Sequence, residues 1–241
     1  MESVISIVSK YRSLLEKYNS ENVELEIRIG HHDGTCFTAG TTREVFNDLS
    51  DAMNSAHNLI SYDDWSEHID YFYKTDEKEI RTRVKFDTET MGMTQTHTHK
   101  KNIETLLLRG TGDDVGRISL NVEEHVSELP VMVLPTHVRI QQRKSFVDER
   151  DGDVVWSYDI SRIWSAGSRS SVEHLQHVSE AKYEVECELK DAKANYISSL
   201  TDCEVAESLM TKMQNLLGHT SNTTYVIIDT KERTRRKRFR G

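Results

Sequence analysis

Three glutamates recur at every second position in YEVECEL: Glu184, Glu186 and Glu188. In a strand, that period of two places all three carboxylates on one face and Val185, Cys187 and Leu189 on the other. Neighbouring carboxylates on such a face lie about 7 Å apart. At an effective dielectric near 20, each pair then costs roughly 2 kcal/mol. A fold accommodates this only with cations opposite, whether side chains or metal. The same arrangement occurs far upstream in VELEIRIG, where Glu24, Glu26 and Arg28 share a face against Leu25, Ile27 and Ile29. Other segments carry the complementary charge. Arg81, Arg83 and Lys85 alternate in EIRTRVKF, and Arg139, Gln141 and Arg143 in HVRIQQRKSF. Arg117, Ser119, Asn121 and Glu123 share a face in GRISLNVEEHV, as do Asp159 and Ser161 in VVWSYDISRIW. Carboxylates gathered at one place bind a hard divalent cation, Mg²⁺ or Mn²⁺, through oxygen. Arg and Lys nearby match phosphate oxygens, Arg in bidentate fashion. Together they describe a site for a metal-bound polyphosphate.

These segments need elements to hold them. Period-two alternation predicts eight strands, at 23–30, 67–74, 79–86, 96–108, 116–126, 137–149, 154–164 and 182–189, with Asp151-Gly152 as a hairpin turn. Helical periodicity predicts three helices: 3–18, a second opened by a capping box at Thr41 and Glu44 and running to Met53, and a third from about 192 to 217 with Gly218 as its stop. The Ser- and His-rich segment 165–179 reads as flexible. Antiparallel sheets ordinarily alternate polar and apolar residues because one face meets water. Solvent faces mix their charges, however, whereas here whole strands are sorted into acidic and basic ones. The expectation is an α+β fold, a closed eight-stranded antiparallel β-barrel with a charged interior and apolar outer faces covered by helices. Trp65, Trp156 and Trp164 belong to that outer core.

At 241 residues, with 36% hydrophobic and 29% charged residues, the chain suits one large domain or two small ones. Three cysteines without metal spacing, Cys36, Cys187 and Cys203, point to a reducing intracellular setting. No signal h-region or apolar run of 18 residues supports secretion or membrane spanning. The tail 231–241 carries net +6 against −9 for the whole chain, so the remaining body stands at −15. That tail reads as a solvated basic linker after a 1–230 domain, suited to contact nucleic acid or to serve as a localisation signal. His97, His99, His31 and His32 lack a completing zinc ligand, and there is neither a nucleophile elbow nor a Walker lysine loop.

Taken in order, ELEIRIG and EVECEL resemble the two glutamate motifs of the triphosphate tunnel metalloenzymes, specifically the metal-dependent RNA 5′-triphosphatases of fungal and large-DNA-virus mRNA capping. IRTR, HKKNIETLLL, ISLNVE and YDISR resemble that family's intervening strands, over roughly residues 20–190. The resemblance extends in particular to the amino-terminal domains of giant-virus multifunctional capping enzymes. It implies that Glu24, Glu26 and Glu188 ligate the metal. It further implies that Glu186 and Asp159 hold a metal-bound water, that Glu184 pairs with wall cations, and that Glu123 positions the attacking water. Arg81, Arg139, Arg143 and Lys100 (or, alternatively, Lys101) would contact phosphates. Gln141 stands where the fungal enzymes carry lysine. The implied reaction is hydrolysis of the γ-phosphate of 5′-triphosphate RNA, with Mn²⁺-dependent hydrolysis of nucleoside triphosphates beside it. The implied partners are covalently linked guanylyltransferase and methyltransferase domains downstream. The implied location is intracellular, in a virion or infected-cell cytoplasm if the viral likeness holds. A small-molecule triphosphate hydrolase of the same fold, or a non-catalytic polyphosphate-binding module, are the alternatives. The former usually shows ExExK in its first motif, where this chain has Arg28.

Overall fold

Eight antiparallel strands close on themselves in the computed structural model, which describes all residues except 62–64, 77, 87–90, 110–113, 130–132, 151–152, 191–197, 219–225 and 229–241. The chain opens with α1 (Glu2–Leu15), a 3-10 turn at Ser20–Asn22, β1 (Val23–His32), β2 (Phe37–Ala39) and α2 (Arg43–Ser55). There follow β3 (Ile60–Ser61), β4 (Ser66–Lys74), β5 (Glu79–Phe86), β6 (Met93–Arg109) and β7 (Asp114–His125). The last elements are β8 (His137–Arg150), β9 (Asp153–Ala166), α3 (Arg169–Val178), β10 (Lys182–Leu189), α4 (Asp202–Leu216) and β11 (Val226–Ile228). Around the barrel the order is β10-β9-β8-β4-β5-β6-β7-β1, and β1 closes the ring on β10. The short strands β2, β3 and β11 extend β1, β8 and β6 respectively. Each of the eight strands expected from alternation is present.

The apolar backs of these strands make the core, and it lies outside the barrel. Leu25, Ile27 and Ile29 of β1, Ile118 and Leu120 of β7, and Val185 and Cys187 of β10 pack with Val4, Ile7, Val8 and Tyr11 of α1 and with Val205, Leu209 and Met213 of α4. Trp156 is fully buried there, with Trp65 packed against the same cluster. At Gly116 of β7, a Cβ would lie 2.0 Å from Met213 Sδ, so a side chain there would push the tip of Met213 aside where α4 packs. One bulge makes the arrangement possible. The β6–β7 register shifts between Asn102 and Glu104, which keeps Lys100 and Asn102 inward but turns Leu106 and Leu108 out to the core.

Several expectations are corrected. Segment 165–179 is not flexible but carries α3, capped by the Ser168 side chain, with Val172 fully buried beside Ile69, Val138 and Ile140. Its polar composition masks a single inward stripe. The cap of α2 is Thr42, whose side chain accepts from Val45 N, while Thr41 bridges to Tyr183. The reciprocal capping box lies instead at Thr201 and Glu204, so α4 begins at Asp202 rather than near 192. Gly218 follows α4 at φ +74°, the left-handed stop its position predicts. The Asp151-Gly152 turn, the 191–197 part of the expected third helix and the basic tail lie outside the described residues, although the strands flanking that turn do pair. No helix among the described residues is long and apolar enough to cross a membrane.

Candidate active site

Closure of β1 on β10 sets the acidic end of the barrel. The register places Glu26 opposite Glu188 and Arg28 opposite Glu186. Glu24 stands two residues along the same face. Glu26 and Glu188 are buried, and their carboxylates are engaged by cations. Lys100 Nζ donates to Glu26 Oε2 at 3.0 Å and pairs with Glu24, while Lys190 Nζ lies 2.7 Å from Glu188 Oε1. Arg28 reaches Glu26 Oε2 at 3.1 Å and Glu186 Oε2 at 3.0 Å. Burial raises the Glu26 carboxyl, and burial against the opposing pull of Lys190 pushes Glu188 up to about 8. Burial alone would also raise Glu186, but Arg28, Arg143 and Lys100 hold it well below the carboxylate range.

The opposite wall is basic, because β5 and β8 flank β4. Arg81 Nη2 donates to both oxygens of Glu123 (3.0 and 3.1 Å) and to Thr98 Oγ1 (3.2 Å). Arg143 Nη1 donates to Asp159 Oδ2 at 2.6 Å, and Ser145 Oγ donates to Asp159 Oδ1 at 2.6 Å. Gln141 faces inward too. With its Oε1 turned to Arg143 Nε (3.2 Å) and Ser161 Oγ (2.7 Å), its amide nitrogen donates to His68 Nε2 at 3.1 Å. That orientation suits a neutral imidazole. Burial, with Arg83 nearby, takes His68 down to about 3.

Between the two walls runs a cavity of about 250 Å³, lined by charged side chains and Gln141 alone. All the site residues expected from sequence line it except Glu26 and Asp159. Those two lie in the wall behind, touching lining residues Lys100, Arg28 and Arg143. Lys100, not its exposed neighbour Lys101, points into the cavity. Glu184 is 2.7 Å from Lys182 and 3.9 Å from Arg28, and Glu186 lies across from Asp159 on β9.

The donor chemistry of Glu24, Glu26 and Glu188 fits a divalent metal: hard oxygen ligands on two paired strands, two of them buried, with carboxyls raised by that burial. Each is engaged by an ammonium, and among the described residues no three His, Cys, Asp or Glu side chains are gathered as a cage.

A charged tunnel with these motifs decides the comparison. The model of the mRNA triphosphatase family, described as mRNA capping enzyme, beta chain, matches residues 3–225. The chain belongs to that family. Solved structures agree in fold. S. pombe Pct1 RNA triphosphatase aligns with TM-score 0.63 at 15% identity, covering 90% of this chain and 91% of that one. The Mimivirus capping enzyme triphosphatase aligns at TM-score 0.55 and 11% identity, covering 90% and 98%. A second Mimivirus structure, the RNA triphosphatase domain of a trifunctional capping enzyme, aligns at TM-score 0.53 and 12% identity, covering 88% and 96%. No curated protein matches at a significant level.

Within this mRNA triphosphatase tunnel, sequence reasoning missed three residues. Asp70 is fully buried, and its oxygens accept from Arg83 Nε (2.7 Å) and Nη2 (2.9 Å) and from Arg139 Nη2. The guanidiniums outweigh burial and hold Asp70 well below the usual carboxylate range. Its signal was an isolated acid on a strand whose two neighbours are basic. Lys190 lies one residue past β10, and extending the alternation of Glu184, Glu186 and Glu188 by one more step would have reached it. His68 sits on the Asp70 face, hidden by its ordinary type.

Proposed function

We propose that this protein removes the γ-phosphate from 5′-triphosphate-ended RNA, the first step of mRNA cap formation. The observation that carries the reading is one cavity with buried carboxylates at one end and guanidiniums along the other wall. Glu24, Glu26 and Glu188 would hold Mg²⁺ or Mn²⁺. When bound, that cation supplies charge neutralisation at the phosphate oxygens. Arg81, Arg139 and Arg143 bind and orient the triphosphate by bidentate contact, and their charge stabilises the leaving oxygen. Lys100, mobile on its stem, adds a point charge beside the carboxylates. Glu123, paired with Arg81, orients a water for attack in this reading. Glu186 and Asp159 order water at the acidic end, and Glu184 sets the position of Arg28.

The same site accounts for hydrolysis of free nucleoside triphosphates with Mn²⁺, since the inner cavity contacts only the phosphate chain. The domain extends over 1–230, and 231–241 is a basic linker to guanylyltransferase and methyltransferase domains, as in a trifunctional capping enzyme. The setting is intracellular, in a virion or infected-cell cytoplasm if the source is viral. The test is phosphate release from 5′-triphosphate RNA, ATP, thiamine triphosphate and tripolyphosphate, each with Mg²⁺ and Mn²⁺. RNA turned over most efficiently supports the reading. Preference for thiamine triphosphate or tripolyphosphate makes the protein a small-molecule hydrolase, and no turnover of any substrate leaves a binding module.

A further inference from the structure

The tunnel opens at one end into a second, larger hollow of about 400 Å³, formed where the start of β6 and the ends of β5 and β7 meet the 3-10 turn. It shares Glu21, Arg81, Arg83 and Glu123 with the inner cavity, so the two are continuous. Its own lining is different in kind. Thr94, Thr96 and Thr98 present a row of hydroxyls along β6, spaced about 7 Å apart by the strand repeat. Lys85 stands beside Thr94 on the neighbouring strand β5, and His125 stands beside Thr98 on β7. Of these, only Thr98 is engaged with the catalytic wall, through Arg81. The side chains of Thr94, Thr96 and His125 make no hydrogen bond, and Lys85 no ion pair, with a described residue. One carboxylate, that of Glu21, stands at the inner rim with no described ion pair of its own. Most cations deeper in the tunnel are matched by a carboxylate within 4 Å. The hollow therefore offers hydroxyl donors and a spare cation at the boundary of the triphosphate site.

We infer that this vestibule binds the sugar–phosphate backbone of the nucleotides following the 5′-triphosphate, so that RNA is distinguished here from free triphosphates. The inference rests on the proposed reaction. Hydroxyls and a Lys beside an anion-binding tunnel suit phosphodiester oxygens and ribose hydroxyls, which are read without regard to base. Tripolyphosphate fills the inner cavity and has nothing to place in the vestibule. A chain of several nucleotides does.

The test uses the full chain with Thr94→Val, Thr96→Val and Lys85→Met combined, and Lys85→Arg as the conservative control. Melting temperature verifies that the variants are folded. For a 5′-triphosphate decamer, kcat/KM is expected to fall about a hundredfold or more, through KM, from loss of two neutral contacts and one charged contact. Tripolyphosphate turnover stays at the parent level. Lys85→Arg retains RNA affinity, and Lys85→Met lowers the salt slope of RNA binding by about 0.7. An equal loss on both substrates, or no loss on RNA, overturns the vestibule assignment. If the parent hydrolyses neither substrate, the functional reading fails by itself. Anisotropy of a labelled triphosphate decamer then still decides the vestibule: weaker binding by the triple variant supports it, and unchanged binding refutes it.

Discussion

Replacing Asp70 by Asn keeps the side chain's shape and removes the charge that holds two arginines. Asp70 is fully buried and Arg83 and Arg139 both donate to it, so neutralising it leaves two facing guanidiniums without their common counter-ion. Breaking a buried ion pair from one side costs about 3–5 kcal/mol. The pH dependence separates this from simple misfit. The folded carboxyl is depressed below its ordinary 3.8. Its contribution is therefore complete above about pH 4 and is lost as pH falls through the folded-state value. Urea unfolding of parent and Asp70→Asn should show the full gap at pH 7 and a smaller one at pH 3. Asp70 opposes the lowering of His68, so loss of its charge takes His68 further down and adds a small destabilisation of the variant at pH 3 that is absent at pH 7. Adding Arg83→Met to Asp70→Asn should recover part of the loss, since one unpaired cation is removed. A gap under about 1 kcal/mol at pH 7, or one constant with pH, would refute the idea that this carboxylate organises the basic wall.

Arg81→Ala and Arg143→Ala should reduce kcat/KM more than the Lys replacements, because fork geometry is lost along with charge; equal effects would reduce both to point charges. Gln141→Lys puts an ammonium beside Arg143 and should lower stability by about 1–4 kcal/mol in urea titration. Unchanged stability would mean that the lysine charge reaches the open cavity. Deleting 231–241 should leave the melting temperature and ATP hydrolysis unchanged, with a salt-sensitive loss on long RNA at most; a drop in melting temperature would show that the tail docks on the acidic body.

The barrel was legible because its charge is sorted by strand. Glu24 and Glu26 could be paired with Glu184, Glu186 and Glu188 before any coordinates, and the sheet register then brought Glu26 opposite Glu188. The basic strands were equally plain from Arg81–Lys85 and Arg139–Arg143. Asp70 was not, since one acid between Ile69 and Tyr71 makes no pattern until β4 is known to lie between β5 and β8. The bulge beyond Asn102 was hidden as well: strict alternation sends Leu106 and Leu108 into the tunnel, and only the packing of β6 against the helices reverses them. α3 escaped because its apolar stripe reduces to Val172 and a half-buried Leu175 amid Ser and His. The choice of Thr42 over Thr41 as a cap depends on which backbone bridges to Tyr183, a tertiary fact.

Single-turnover release of phosphate from γ-labelled 5′-triphosphate RNA, with Mg²⁺ or Mn²⁺ and in chelator, bears most directly on the carboxylate cluster. Parent protein should release phosphate with metal and none in chelator. Glu24→Gln, Glu26→Gln and Glu188→Gln, verified as folded by their melting temperatures, should each lose several orders of magnitude in rate, because metal charge stabilisation is worth several kcal/mol. Undiminished release in chelator, or folded Gln variants acting at the parent rate, would contradict a metal held by these three glutamates.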